Sequence, residues 1–509
     1  MAETWILGKA AVATEKGIVA AQHHLAARAG AELLAAGGNA VDAAVATAFA
    51  LGVVEPWMSG IGGGGLLVFA PASGPVEVVD FMMEAPARLD PARYRLRGGI
   101  GSSPFGWPAV EEDRNLAGWE SILVPGTVDG LGLALERFGR KSLAEAIGPA
   151  LRLAEEGMPI DWATTLAIAI SAAELQRYPA SRAHYLPDGV PPAAAEGAER
   201  RLVLPALAAT YRRLAEAGRR DFYEGALAEA IAAELAEGGS PIRADDLARY
   251  RAEARAPLSF DYRHVSVHAA PGLTGGPTLA AILAACAERL RPGDEPDAEA
   301  YAVYADACRE AFAARLSQMG HAAGGNTTHV SAVDRDGNVA ALTNTLLARF
   351  GSKVVLARTG ITMNNGMGWF DPVPGRPNAI APGKRPLANM CPAVLTRRGA
   401  PWAGLGACGG RKIIPAVAQL VSFLVDYAMP LDKAFATPRI DASGETVVCD
   451  PRLGRAAIEA VARTHPVEIA ADAVYPNRYA VPSAVLREGR GNAGMAYIHS
   501  PVAAAIAEP

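Results

Sequence analysis

The run Asn326-Thr327-Thr328-His329-Val330-Ser331 is the stretch of this chain best equipped for covalent chemistry. A threonine hydroxyl is a weak nucleophile until a base stands beside it, and that base can be the threonine's own α-amine once the preceding peptide bond is cut. A free α-amine titrates at about 7.7–8.0, close to the pH at which a general base works best. On this reading the chain is a precursor that cuts itself between Asn326 and Thr327, giving pieces of 326 and 509 − 326 = 183 residues. The plain alternative is that Thr327-Thr328 opens a β-strand, where β-branched residues are common. Further on, Gly409-Gly410 follow an apolar run and precede a long apolar helix. Successive N–H groups at such a turn can point at a developing oxyanion, or the pair can be a tight strand-to-helix turn and nothing more.

A hairpin must position the threonines. Asp336-Gly337-Asn338 suits a tight turn because Gly and Asn tolerate positive φ. One strand then starts at Thr327-Thr328, and the next carries Thr343-Asn344-Thr345. The lead-in His321 to Gly325 consists mostly of small residues, so a carbonyl could approach Thr327. Upstream, Leu25–Ala36 and Val41–Val53 are spaced as helices separated by the stop signal Gly37-Gly38-Asn39, and the second is apolar all round, as a buried helix is. Ser59-Gly60-Ile61-Gly62-Gly63-Gly64-Gly65 leads into strand-like Leu66–Phe69. Dinucleotide binding needs the order strand, glycines, helix, so these glycines mark a place where backbone approaches backbone or substrate. Val76–Phe81 is the paired strand. Helical spacing follows at Leu143–Glu156, Leu204–Ala217, Ala226–Glu237, Pro277–Leu290 and Ala298–Gln318, with another helix starting near Ile242. Strand signals recur at Val265–His268, Val354–Leu356, Gly360–Met363, Ala393–Thr396 and Trp402–Gly406. Phe370–Pro386 is a long loop rich in Pro and Gly, and Ile413–Tyr427 is a helix.

Thr327-Thr328-His329-Val330-Ser331, with Gly337-Asn338, Thr343, Thr345 and Phe350-Gly351, resembles the processing-site signature of the γ-glutamyltranspeptidase family of autoprocessing N-terminal-nucleophile hydrolases. Further matching blocks follow in order: Gly38-Asn39-Ala40-Val41-Asp42-Ala43-Ala44, Ser59 to Gly65, Val124-Pro125-Gly126-Thr127, Asn364-Asn365, Lys384-Arg385-Pro386-Leu387 and Gly409-Gly410. The resemblance spans nearly the whole chain. It implies an α+β fold, the four-layer αββα sandwich, built jointly from a large fragment (1–326) and a small one (327–509). It implies Thr327 as nucleophile at the end of a central strand, Thr345 as the hydroxyl that orients it, and Gly409 and Gly410 as the oxyanion donors.

The implied substrate pocket departs from the family's pattern. Where transpeptidases place an arginine after Asp-Phe to grip an α-carboxylate, this chain has Met82, and the first following cation is Arg88, expected at the surface. The family's asparagine falls at Leu347. Its glutamine and aspartate fall at Gly366 and Trp369, and its serine pair at Ala388-Asn389. A zwitterion bound without these groups would keep unpaired charges, an expensive state. The expected ligand is therefore a non-γ-glutamyl amide in a more apolar pocket walled by Met82, Leu347 and Trp369, with Arg411 as a candidate carboxylate partner or a surface residue. Two other readings stay open: a genuine glutathione hydrolase or γ-glutamyl transferase with a rebuilt pocket, and an unprocessed, non-catalytic paralogue.

Composition narrows the partners. Net charge is −5 and no block of one sign stands out, which disfavours nucleic acid and anionic membranes; Arg200-Arg201 and Arg219-Arg220-Asp221 read as solvated surface. Half the residues are hydrophobic and only 6% aromatic, so Ala, Leu and Val must fill the core. Five scattered cysteines form no metal-binding pattern. Cys408 reads as a packing residue, and reduced thiols suit a cytoplasmic protein. The start of the chain lacks a basic region followed by an apolar one. No cofactor or metal is expected. The expected partners are a small-molecule amide and the chain's own second fragment, as a heterodimer or a higher oligomer of it.

Overall fold

The computed structural model describes residues 7–101, 106–196, 198–319 and 326–509. The expected lead-in at His321–Gly325 lies outside them. Among the described residues, fourteen strands make two antiparallel sheets of seven. The first sheet contains β2 (Ile18–Ala21), β3 (Gly64–Ala70), β4 (Glu77–Phe81), β5 (Glu253–Arg255), β8 (Asn326–Val333), β9 (Val339–Leu347) and β14 (Ala504–Ala507), in the order β14-β2-β8-β9-β3-β4-β5. The second contains β1 (Val12–Thr14), β6 (Leu258–Tyr262), β7 (Val265–Ala269), β10 (Ala393–Arg397), β11 (Ala400–Cys408), β12 (Val481–Glu488) and β13 (Gly491–Ala496), in the order β1-β13-β12-β11-β10-β7-β6. The hairpin carrying Thr327 and Thr345 thus lies at the centre of its sheet.

Side chains alternate along a strand, and here the alternation sorts residues between separate cores. Val330, Ala332, Ala340 and Leu342 face helix α2 (Ala40–Val54), which packs on α1 (His24–Ala35). Val333, Val339 and Ala341 pack in a second cluster with Val394 and Val485 of the other sheet. Ala393, Leu395, Ala484 and Leu486 turn outward to α8 (Ile413–Val425), beside α6 (Gly276–Arg289) and α7 (Ala298–Met319). All fifteen residues of α2 are buried, as its all-round apolar sequence requires.

Polar anchors lock the hairpin to α2. Asp334 accepts hydrogen bonds from the backbone N–H groups of Gly337 (2.9 Å) and Asn338 (2.9 Å), from Asn338 Nδ2 (2.6 Å), and from Ala40 N at the start of α2 (3.0 Å). Gly337 has φ +94°, so the expected turn forms where a positive φ is needed. Asn39 and Asp42 make a capping box on the same helix. Asp42 also accepts from Arg140 N and Lys141 N, which ties down the connection between α3 (Thr127–Phe138) and α4 (Leu143–Glu156).

Two expectations are corrected. Val354–Leu356 and Gly360–Met363 do not form strands; they contribute only isolated bridges, Val355 to Thr362 and Gly62 to Met363. Arg219 and Arg220 are not a solvated pair. Both reach the carboxylate of Asp129, which is 1% exposed, at 3.0 Å.

Candidate active site

The sheet register slips where β8 begins. Asn326 pairs with Leu347 and Thr328 with Asn344, so Thr327 alone stands opposite Thr345 and Leu346. Such a bulge re-aims side chains and is common beside active sites. Thr327 is 3% exposed and Thr345 fully buried. Thr345 Oγ1 accepts from Leu347 N at 2.8 Å. Leu347 itself has φ +83°, a left-handed backbone that a leucine rarely adopts.

The glycine run beneath this bulge is explained by backbone packing. A Cβ on Gly63 would lie 2.2 Å from the carbonyl oxygen of Thr345, and one on Gly65 would lie 2.1 Å from that of Thr343. Of the two uses expected for these glycines, the close approach of backbone to backbone is the one present. Gly63 O accepts from both Gly126 N and Thr127 N. Thr127 Oγ1 donates to Asn344 Oδ1 at 2.9 Å, and that same oxygen accepts from Thr345 N at 3.0 Å. Asn364 Nδ2 donates to Gly62 O (2.8 Å) and Leu123 O (2.9 Å), while Asn365 Oδ1 accepts from Ala348 N (3.0 Å). The sequence blocks around Gly126 and Asn364 thus form the scaffold of the Thr345 strand.

Gly409 and Gly410 end β11 with φ +132° and +64°, and the chain passes through a short 3-10 turn into α8. Cys408 is buried among Val481, Tyr497 and Met58, and burial pushes its thiol well above the usual range, which fits a packing residue. His329 bridges Thr343 (2.9 Å) and Ser331 (3.0 Å) with its ring against Gly406, and burial holds it neutral, with a pKa lowered to about 3.

The expected pocket walls do come together. Met82, Leu347, Trp369 and Ala388 belong to one buried apolar cluster with Met83 and Leu123. Met82, Leu347 and Trp369 are 3%, 1% and 3% exposed, so in the unbroken chain they pack as core. Gly366 abuts the same cluster, where an added Cβ would meet Leu123 and Met83. Asn389 Oδ1 accepts from Arg315 (3.3 Å), which also donates to Ala388 O (2.6 Å). Arg88 lies at the surface beside Asp245, as expected. Arg411 lies outside the cluster, half-buried and facing Asp441, Glu445 and Arg309; desolvation lowers its pKa.

Three residues were not anticipated. Arg315 is 3% exposed and, among the described residues, bonds carbonyls and side-chain oxygens but no carboxylate, yet at a pKa of about 10 it keeps its charge at neutral pH. Arg385 sits within 3.2–3.6 Å of Asp80, Glu253 and Glu84, in a sequence block whose only signal was resemblance. Glu55 ends α2 and accepts from Thr328 Oγ1 at 3.0 Å; desolvation pushes its carboxyl up to about 8.

Two seven-stranded antiparallel sheets, with a threonine pair where a central strand begins, fit a hydrolase of the N-terminal-nucleophile class. A sequence model of the gamma-glutamyltranspeptidase family matches residues 26–324 and 317–497, and the chain belongs to that family. An acylase ACY 1 proenzyme of Pseudomonas sp. (strain SE83) is 34% identical over 494 residues, covering 89% of this chain and 87% of the relative. A glutathione hydrolase proenzyme of Escherichia coli (strain K12) is 30% identical over 483 residues, covering 84% and 81%. In fold, a cephalosporin acylase from Bacillus halodurans superposes with a TM-score of 0.86 at 24% identity, over 99% of this chain and 98% of its own.

Proposed function

We propose that the protein is an autoprocessing amide hydrolase or acyltransferase that works through an acyl-Thr327 intermediate on a non-γ-glutamyl amide. In maturation, Thr327 Oγ attacks the carbonyl carbon of Asn326 and the Thr327 nitrogen leaves, which converts the amide to an ester. Water then hydrolyses the ester, leaving the Asn326 carboxylate and a free amine on Thr327. In turnover that amine takes the hydroxyl proton as Oγ attacks the substrate carbonyl, and it returns the proton to the departing amine. Gly409 and Gly410 N–H groups stabilise the oxyanion, Thr345 orients Oγ, and water or an amine removes the acyl group. The mature protein is an αββα body of two fragments, 1–326 and 327–509.

The bulge that sets Thr327 opposite Thr345 is the observation that carries the mechanism. The apolar cluster at Met82, Leu347 and Trp369 carries the choice of ligand, because the positions expected to grip an amino-acid head group hold apolar side chains there. Mass spectrometry of the intact small fragment, stalled with a slow substrate, tests both parts. Thr327 is expected as its first residue, and the added mass is expected to be that of a non-glutamyl acyl group. A first residue other than Thr327 overturns the mechanism, and a γ-glutamyl adduct overturns the choice of ligand. Arg315, charged and in contact with Asn389, favours a second reading in which the acyl group carries a carboxylate, as in a glutathione hydrolase. Ordinary rates on a γ-glutamyl anilide would establish that reading instead.

A further inference from the structure

A cavity of about 550 Å³ opens beside Glu55 and Gly409, and it shares no residue with the Met82–Leu347–Trp369 cluster. Its size suits a small organic ligand. One side is apolar and aromatic, with Trp57, Met58, Leu166 and Pro501, and with Trp162 of α5 (Trp162–Leu175) 56% exposed. The other side is cationic. Arg349 and Lys412 line it, and Glu55 is the only carboxylate among the lining residues. Lys412 Nζ already donates to Arg478 O at 2.8 Å. Arg349 is half-buried, and among the described residues its guanidinium has neither a hydrogen bond nor an ion pair; its charged and titratable neighbours are Glu55, Tyr475 and Lys353, whose Nζ donates to Arg349 O. His499, also on the wall, faces Asp472 at 3.6 Å, and that carboxylate lies 3.5 Å from Arg439.

A half-buried guanidinium without a partner, set across a cavity from aromatic rings, is an arrangement that waits for an anion with an apolar tail. We propose that this cavity is a second binding site, for a small monocarboxylate whose charged end meets Arg349 and whose apolar end lies on Trp57 and Trp162. Burial leaves Glu55 mostly protonated at neutral pH, so it does not repel the incoming carboxylate. The cavity borders the proposed catalytic centre, since Gly409 lines it and Glu55 accepts from Thr328 Oγ1, but its ligand needs no cleavage at Thr327.

Phenylbutyrate and its uncharged analogue phenylbutanol test the proposal on the full protein, by calorimetry and by the fluorescence of the two lining tryptophans. Phenylbutyrate is expected to bind at least about tenfold more tightly than the alcohol, the worth of a hydrogen-bonded charge. Arg349→Gln is expected to bring the acid down to the level of the alcohol, and Trp162→Ala to weaken both alike. Lys412→Gln gives a second measure of the cationic side, with a smaller loss expected. Equal binding of acid and alcohol overturns the proposal, as does unchanged affinity in Arg349→Gln. No binding of either compound in the low-millimolar range overturns it too, as does binding lost in Trp369→Ala but kept in Arg349→Gln. The state of the Asn326–Thr327 bond, read on a denaturing gel of the same samples, reports separately on the proposed maturation.

Discussion

The two ends of the Thr345 strand's surroundings are built on opposite principles. Around Thr327 the polar side chains are tied by hydrogen bonds: Thr345 by Leu347 N, Asn344 Oδ1 by Thr127, and Thr328 by Glu55. At Met82, Leu347, Trp369 and Ala388 the side chains are apolar and pack against one another. Leu347 belongs to both regions, since its N–H serves Thr345 while its side chain joins the apolar cluster. On the proposed function, reaction and recognition rest on different atoms, and one can change while the other stays. The sharpest way to break this contrast is Thr327→Ala. If the polar end does the chemistry, the variant stays a single 509-residue chain and turnover falls by roughly 10⁴–10⁶-fold, read by gel and by rate on any accepted amide.

Gly409→Ala comes next. A side chain at φ +132° is strained, and its Cβ would lie 3.0 Å from Ala480 Cα, so the backbone must shift and carry its N–H with it. A misplaced oxyanion donor costs about 10²–10³ in kcat with little change in KM. A loss confined to KM would mean that this turn binds substrate instead, and the two regions would no longer be separable.

Glu55 tests the polar end through stability. Its folded carboxyl titrates near 8, above its unfolded value of 4.5. Between these values the folded state holds a proton that the unfolded state has lost. Stability is therefore greatest below the unfolded value and falls as pH rises towards the folded one. The buried histidines His23, His184 and His329 are held neutral, with folded pKa values of about 3 to 4 against 6.5 unfolded, so they act in the opposite sense, an effect that fades as pH rises through 6.5. From pH 6.5 to 8 the wild type is expected to lose about 1.6 kcal/mol relative to Glu55→Gln, measured from the urea midpoints of both proteins, the histidine contribution being common to the two. Parallel profiles of the two proteins in that window would mean that Glu55 is ionised and solvated.

What the sequence revealed of this contrast follows from distance along the chain. The hairpin was legible because Asp336-Gly337-Asn338 and the β-branched residues around it act locally, and α2 because its apolar run begins at an Asn39 cap. Gly63 and Gly65 marked a close backbone approach, although not with what. Glu55 was missed because an acid closing an apolar helix looks solvated, and its burial depends on Thr328, 273 positions away. Arg219 and Arg220 were misread for the same reason, their partner Asp129 lying 90 and 91 positions off. Val354–Leu356 had the composition of a strand but no neighbouring strand to pair with beyond a single bridge. The last strand, Ala504–Ala507, had a partner in β2 but too little β-branched character to announce itself.

The smallest effect bears on the recognition end. Arg88 is the first cation after Met82, and if a carboxylate had to be gripped near Met82 it would be the obvious substitute. Its side chain is 70% exposed and reaches Asp245 at 3.4 Å, on the α-helical segment Ala244–Arg249. The backbone just before it is fixed: Ala85 N donates to Lys384 O, and Ala87 N donates to Asp246 Oδ1 at 2.9 Å. Swinging Arg88 inward would break the second of these bonds and press a guanidinium against closely packed apolar side chains. Arg88→Ala is therefore expected to leave kcat and KM within about twofold and stability within about 0.5 kcal/mol, as for an ordinary exposed ion pair. A tenfold or greater rise in KM would mean that Arg88 turns inward to hold a substrate carboxylate, and the apolar description of the pocket would then fail.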